Sequence, residues 1–372
     1  MKNVLVIQRR MTHYRIKLFD LMRENLVSQG VVLGVVYGQA AQSELSKRDS
    51  AELSWGTFAK NKYLLEGRLC WQSIGMHIAK SDLVIVTQEN KLLSNYPLLL
   101  GRRHYKLAFW GHGGNLQAAN PNSLKERFKR WTTNQVDWWF AYTQMSVGLV
   151  QQCGFPTERI TDLENAVDTT ELLEQQSTIS STEIDQLKQN LGINHGQVGL
   201  YLGSLYEEKR LDFLFAAAQR LKQQVPHFHL VIVGDGPMRP EVEVFCAAHP
   251  DWCHYVGIQK GRDKMLYLSL ANVVLNPGLV GLGILDSFVA GVPMATTDCG
   301  LHSPEVAYLE NGVNGVMTAN TLEAYVAAVT RILSDEQYAS QLKQSAKAAA
   351  AHYTIENMAN NFCAGILQAL KS

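Results

Sequence analysis

The sequence has no Cys-x-x-Cys pair; its six cysteines, Cys70, Cys153, Cys246, Cys253, Cys299 and Cys363, are scattered. That spacing excludes a disulfide scaffold and a zinc ribbon, and it fits a reducing compartment. No run of about 18 apolar residues occurs, so no segment is expected to span a membrane. The opening stretch, Met1 to Arg10, has an apolar run of only four residues before a charged pair, which reads as a buried strand and not a signal peptide. With 10 prolines and 28 glycines there is no low-complexity bias, and no repeat of solenoid period is present. Net charge is lacking as well, at 34 Lys and Arg against 34 Asp and Glu, and no nucleic-acid partner is expected.

What is present is a chain of 372 residues with 46% hydrophobic content, enough for two domains with sizeable cores. The zero charge hides an asymmetry. Residues 1–170 hold 21 basic against 14 acidic side chains, and the remainder holds 13 against 20. A basic half suits an anionic partner such as a phosphate or a lipid headgroup, although ordinary surface variation gives the same numbers.

Short apolar strands alternate with helical patterns throughout. Strands are expected at Val4–Gln8, Val31–Tyr37, Leu83–Thr87, Leu107–Trp110 and Trp138–Tyr142. The second half repeats the grammar at Val198–Leu202, His229–Val233, His254–Val256, Val273–Asn276, Met294–Thr297 and Gly315–Met317. Helical patterns between them include Lys17–Ser28, Ile74–Ala79, Ser123–Thr133, Asp212–Gln224, Pro240–Ala248, Lys264–Ala271, Leu285–Ala290 and Leu322–Ser334. Fully apolar strands alternating with helices indicate parallel sheets covered on both faces, hence an α/β chain of two doubly wound domains. The polar segment Glu171–His195 reads as the join. The expected domains are 1–175 and 190–350, with ligands in a shared cleft at the carboxyl ends of the strands. Ile355, Met358, Phe362, Ile366 and Leu370 form the stripe of a closing helix.

Several strand-loop-helix junctions can carry chemistry. Between Asn276 and Pro293, Gly281 and Gly283 allow close approach to a ligand, and the helix start offers N–H groups and a positive dipole to a phosphate. Asp286 in that helix can accept from a ribose diol, or it compensates the dipole. In Leu202-Gly-Ser-Leu-Tyr-Glu-Glu-Lys-Arg-Leu-Asp212, Gly203 and Ser204 make a tight turn and Lys209 can neutralise a diphosphate; a solvated charge cluster is the plainer reading. Gly234-Asp-Gly-Pro is a turn with a structural role, and it lacks the third glycine of a dinucleotide fingerprint. Phe109-Trp-Gly-His-Gly-Gly-Asn115 puts His112 at the carboxyl end of a strand, where it can donate to a sugar or phosphate oxygen or simply pack. Arg9, Arg10 and Arg15 follow the first strand in the same way, to hold an anionic acceptor or to lie exposed. Glu305 reads as first-turn dipole compensation.

Taken in order, these segments resemble family 4 (group 1) retaining glycosyltransferases. The set runs Asn165-Ala-Val-Asp168, Gly203-Ser-Leu with Lys209, Val231-Ile-Val-Gly-Asp-Gly-Pro, Val280-Gly-Leu with Asp286-Ser, Gly291-Val-Pro, Glu305, and Asn311-Gly-Val-Asn-Gly315. The form of the donor motif looks like a subgroup used in surface-polysaccharide (lipopolysaccharide or exopolysaccharide) assembly. The resemblance implies a GT-B fold, in which an acceptor domain packs the last helix, 353–372, against itself and a donor domain binds a nucleotide sugar. It implies transfer of a hexose-type sugar from a UDP- or GDP-sugar to a glycan or polyprenyl-linked acceptor, with retention and with no metal or other cofactor. It assigns donor binding to Gly203, Ser204, Lys209, Arg210, Gly234, Gly281, Leu282 and Asp286. Lys209 is expected to act in catalysis with His112, and Arg9, Arg10 and Arg15 to bind the acceptor, the last four on their places at strand ends.

Three departures stand out. Gly278 occupies the place of the family's first glutamate, Asp286 that of the second, and Ser204 that of an arginine. A sugar-nucleotide epimerase on the same fold and a catalytically silent nucleotide-sugar-binding subunit are the alternatives. The expected location is cytoplasmic. Lys125, Arg127, Lys129 and Arg130, interleaved with Phe128 and Trp131, suit peripheral contact with an anionic membrane surface, or else a charged helix with an aromatic inner face.

Overall fold

The apolar strands do what their composition demands and lie side by side in parallel, covered by helices. The computed structural model describes residues 1–47, 49–114, 124–193 and 195–372. Residues 1–168 with 354–372 form one compact unit, and residues 169–353 form a second. In chain order the first comprises β1 (Lys2–Gln8), α1 (His13–Val27), β2 (Val31–Tyr37), β3 (Thr57–Phe58), β4 (Asn61–Leu64) and β5 (Leu69–Gln72). It continues with α2 (Gly75–Ile78), β6 (Leu83–Thr87), α3 (Asn95–Leu100), β7 (Lys106–Gly111), α4 (Leu124–Thr133), β8 (Trp138–Ala141), α5 (Gln144–Gln152) and β9 (Ile160–Asp162). The second unit has α6 (Thr170–Ser177), α7 (Ser181–Asn190), β10 (Gln197–Leu202), α8 (Leu211–Gln224), β11 (Phe228–Val233) and α9 (Arg239–Ala248). After these come β12 (Cys253–Tyr255), α10 (Gly261–Leu270), β13 (Val273–Leu275), α11 (Gly283–Ala290), β14 (Met294–Thr297), β15 (Gly315–Thr318), α12 (Leu322–Ser334) and α13 (Glu336–His352). The chain ends with α14 (Ile355–Lys371), which belongs to the first unit.

The first sheet has the order β3-β2-β1-β6-β7-β8-β9 and the second β12-β11-β10-β13-β14-β15, with every pairing parallel. Both are doubly wound, as expected. The strand order reverses between β1 and β6 in one sheet and between β10 and β13 in the other, and ligands bind at such a switch point. Two features escape the apolar pattern. The antiparallel hairpin of β4 and β5 is built on polar and aromatic residues, and β9 is a three-residue edge strand.

The segment 171–195, read as a linker, is a correction. Most of it folds as α6 and α7 of the second unit, and the boundary lies at 168, not 175. A capping box starts α7: the Ser180 hydroxyl accepts from the Glu183 N–H at 3.3 Å, and Glu183 accepts from the Ser180 N–H at 3.0 Å. Arg262 of α10 then donates to Glu183 at 2.7 Å and to the Thr178 carbonyl at 3.1 Å. Polar composition here reflects helices held by caps and ion pairs, with little apolar surface.

In α14, Ile355, Met358, Phe362 and Ile366 are buried, and Phe362 stacks on Phe140 at 4.5 Å and meets the edge of Trp110 at 5.0 Å. Gly365 has a reason to be glycine: a Cβ there would lie 2.7 Å from the Phe140 ring, so the helix backbone rides directly on β8.

Candidate active site

At the switch point of the second sheet, the loops after β10, β11 and β13 pack backbone against backbone. Gly203 has φ of +154° and Gly234 φ of +147°, conformations open to glycine. A Cβ on Gly234 would run into the Gly203 carbonyl, and one on Gly236 into that of Leu205. Leu205 N–H donates to the Asp235 carbonyl at 2.9 Å and Met238 N–H to that of Leu205 at 3.0 Å. The Gly-Asp-Gly turn therefore serves close packing beneath Gly203 and Ser204, and Ser204 is left exposed at the surface.

The loop after β13 is joined to the same place. Leu279 N–H donates to the Glu208 carbonyl at 2.9 Å, and Lys209 Nζ donates to the Leu279 carbonyl. Gly278 lies between them. A Cβ at that position would stand 2.5 Å from the carbonyl carbon of Lys209, far inside van der Waals contact. Any side chain at position 278 is thus excluded by the present packing of the two loops. Burial pulls the Lys209 ammonium down to about 8, and among the described residues no carboxylate forms an ion pair with it. A desolvated cation held against neutral groups favours an arriving anion strongly.

Arg210 has a different task. It takes a left-handed conformation with φ of +56°, and its guanidinium donates to Pro277 O at 3.2 Å, Thr297 Oγ1 at 3.0 Å and Asn320 Oδ1 at 2.6 Å. It ties the ends of three strands together. Gly281 and Leu282 are half-buried at the start of α11. The N–H groups of Leu282 and Gly283 precede the bonds from Ile284 to Gly281 and from Leu285 to Leu282, and so belong to the open first turn. Asp286, one turn in, receives Lys264 Nζ of α10 at 3.0 Å.

In the first unit, Arg9, Arg10 and Arg15 line a cavity of about 170 Å³ with Glu89, Trp110 and Tyr142. Arg9 donates to both oxygens of Glu44, at 2.5 and 2.8 Å, and to Glu89 at 3.0 Å. Although burial opposes ionisation of Glu44, Arg9 and the Ala41 N–H hold its carboxyl down at about 2. Arg10 grips Asp49 through two bonds of 2.5 and 2.9 Å. Arg15 instead has neutral partners, Asn165 Oδ1 at 2.7 Å and the Ala166 carbonyl at 3.4 Å, and its guanidinium lies 5.2 Å from the centre of the Trp110 ring. Asn165 of the Asn-Ala-Val-Asp motif therefore positions Arg15. His112 is exposed at the end of the same sheet, edge-on to Tyr142 at 4.4 Å. Its motif neighbour Asn115 lies outside the described residues.

Residues 196–335, within the second unit, match the family model described as Glycosyl transferases group 1. These residues, less than half of the chain, are similar to group 1 glycosyltransferases. An α-D-kanosaminyltransferase of Streptomyces kanamyceticus is 25% identical over 174 residues, or 43% of this chain. That match spans only 42% of the relative's length. HepE of Anabaena, solved with UDP, superposes with a TM-score of 0.71 at 15% identity over 99% of this chain and 100% of its own. In its complex with UDP-glucose the same protein gives 0.66 at 16% identity, covering 99% of each chain. The lipopolysaccharide outer core galactosyltransferase WaaB, in its apo form, gives 0.68 at 13% identity over 98% of this chain and 99% of its own. The fold is GT-B, as the sequence motifs implied.

In the second unit the structure gathers Gly203, Ser204, Lys209 and Gly234 at one end of the sheet and ties the Gly281–Leu282 loop to them through Leu279. It draws Arg210 behind the loops. In the other unit it engages Arg9 and Arg10 with carboxylates and leaves Arg15 with neutral partners. Sequence reasoning missed Lys264 and His302, which touch Asp286 and Val280 across 22 residues in each case. Bonds at such separations leave no local spacing signal. Writing the family's glutamate back in, Gly278→Glu, is expected to force the two loops apart and destabilise the domain by about 1–3 kcal/mol or more. Urea unfolding checks this; a variant as stable as the parent contradicts it.

Proposed function

We propose that this chain is a retaining glycosyltransferase that moves a hexose-type sugar from a UDP- or GDP-sugar to a glycan or polyprenyl-linked acceptor in cell-surface polysaccharide synthesis. The observation that carries the reading is Lys209, a half-buried cation at the switch point whose Nζ donates to the Leu279 carbonyl and which forms no ion pair among the described residues. A diphosphate leaving group develops negative charge as the glycosidic bond breaks, and a preorganised cation beside helix N–H groups stabilises that charge. No metal is needed in this reading because Lys209 and the first turn of α11 take its part. Gly203 and Ser204 offer the tight turn for the phosphates, and the oxygen of Asp286 not taken by Lys264 suits the ribose. The UDP and UDP-glucose complexes of HepE support a nucleotide sugar as donor, and WaaB supports a surface glycan as destination. In the first unit, Arg15 and His112 are the residues we assign to acceptor and transferring sugar. Arg9 and Arg10 shape that cavity through their ion pairs.

The site also sets a pH dependence. Free Lys209 titrates near 8, and a bound diphosphate favours its ammonium. UDP or GDP affinity is then full below pH 8 and falls above it, by up to about tenfold per pH unit. Lys209→Ala is expected to flatten that profile and to lower turnover about 10²-fold. Calorimetric titration across pH 6.5–9.5, with product analysis in the presence and absence of acceptor, tests the reading. Binding that is indifferent to pH, or turnover unaffected by Lys209→Ala, contradicts it; modified donor released without acceptor indicates an epimerase, and binding without turnover a silent subunit.

No helix among the described residues is long and apolar enough to cross a membrane. We further propose that α4 brings the enzyme to an anionic membrane surface, on the cytoplasmic side. Phe128 and Trp131 are 47% and 42% exposed and lie 5.8 Å apart, with Arg127 and Arg130 exposed beside them. An aromatic inner face would have been buried, whereas exposed rings among cations suit lipid headgroups. The side chains of Lys125 and Lys129 lie outside the described set. Anionic vesicles are expected to bind the protein at low salt and release it as ionic strength rises. Replacing Lys125, Arg127, Lys129 and Arg130 by Gln should abolish this and leave nucleotide affinity intact; equal binding to neutral vesicles sinks the idea.

A further inference from the structure

The loop between β13 and α11 must present its N–H groups accurately, yet Gly278 denies it a side-chain anchor at its centre. It is held through its main chain. Leu279 is fixed from one side by the Glu208 carbonyl and Lys209. The next residue, Val280, is fixed from the other side by the segment after β14. Val280 N–H donates to His302 Nδ1 at 3.1 Å, and the Val280 carbonyl accepts from Ser303 N–H at 2.9 Å. The opposite ring nitrogen, His302 Nε2, lies 2.7 Å from the Thr297 carbonyl.

These partners settle the tautomer. Val280 offers only a proton, so Nδ1 must be the acceptor; the Thr297 carbonyl offers only lone pairs, so Nε2 carries the hydrogen. The ring, with Cys299 Sγ also 3.6 Å from Nε2, is therefore a bridge from the end of β14 to the Leu279–Val280 peptide. Thr297 reinforces it, since its own hydroxyl donates to the Pro277 carbonyl at 2.7 Å. Ser303 Oγ stands 3.5 Å from where a Cβ on Gly281 would be, so residues 302 and 303 form the floor beneath the loop.

We propose that His302 is a positioning residue for the nucleotide-sugar site, orienting the Leu279–Val280 peptide so that the first N–H groups of α11 meet the donor's diphosphate. The proposal rests on the donor-site reading above. It concerns geometry only, with His302 acting through Val280. Displacement of such groups by about 1 Å costs on the order of 10²-fold in rate.

The test exploits the difference between the two ring nitrogens. In His302→Asn the amide oxygen falls near the place of Nδ1 and can still accept from Val280 N–H. In His302→Gln the amide reaches the place of Nε2, keeping a donor for Thr297 and leaving Val280 N–H without its acceptor. His302→Ala removes both. UDP and GDP affinity, kcat and KM are measured for all four proteins, with melting temperatures taken without nucleotide as the check on folding. The expected result is affinity and kcat within about threefold of the parent for Asn, and at least about tenfold losses for Gln and Ala. Should the Ala variant fail to fold, the Asn and Gln pair decides. Losses in Asn as large as in Gln, or equal affinity and kcat in every variant, overturn the role of His302. A parent protein that binds neither nucleotide overturns the donor-site reading and this role with it.

Discussion

The contact on which the second unit depends is the meeting of two loop backbones at Gly278. The Leu279 N–H reaches the Glu208 carbonyl at 2.9 Å, and the space left between the chains admits a hydrogen atom but no Cβ. Because the loops after β10 and β13 are closed upon each other, Lys209 is half-buried and turned onto the Leu279 carbonyl. A lysine on an open loop would be an ordinary solvated charge. Here the same approach that excludes a glutamate creates the poised cation.

The arginines of the other unit show the opposite arrangement. Arg9 and Arg10 lie at the end of β1, where a ligand site belongs, but Glu44, Glu89 and Asp49 cancel their charge. Such pairs fix Glu44, Asp49 and the cavity wall, and they offer little to an anion without first giving up a carboxylate. Arg15, stacked beside Trp110 and held by Asn165, keeps its charge unspent. The contrast between compensated and uncompensated cations separates scaffold from site more sharply than position along the chain does.

The sheet strands were legible because parallel strands buried on both faces cannot hide their composition: Val31–Tyr37, Leu83–Thr87 and Met294–Thr297 have the limits the apolar runs imply. The loops after β10, β11 and β13 were legible for a related reason, since strand, glycine turn and helix follow each other locally. The helices at 170–190 were misjudged although Ser180 and Glu183 carry the capping signature, because polar composition outweighed it. What no local pattern could reveal were the long-range partners. Lys264 on Asp286, His302 on Val280, Glu44 on Arg9 and the crowding at Gly278 all join segments that only the folded sheet brings together. They decide which residues are available for chemistry.

The central claim is that the loops joined at Gly278 receive a nucleoside diphosphate. Amide hydrogen exchange of the intact protein with and without UDP or GDP tests it most directly. The account predicts added protection in peptides covering 203–210 and 278–286, growing with nucleotide concentration and absent from the amino ends of β10 and β13. Protection that leaves both segments unchanged while appearing elsewhere in the chain would contradict it.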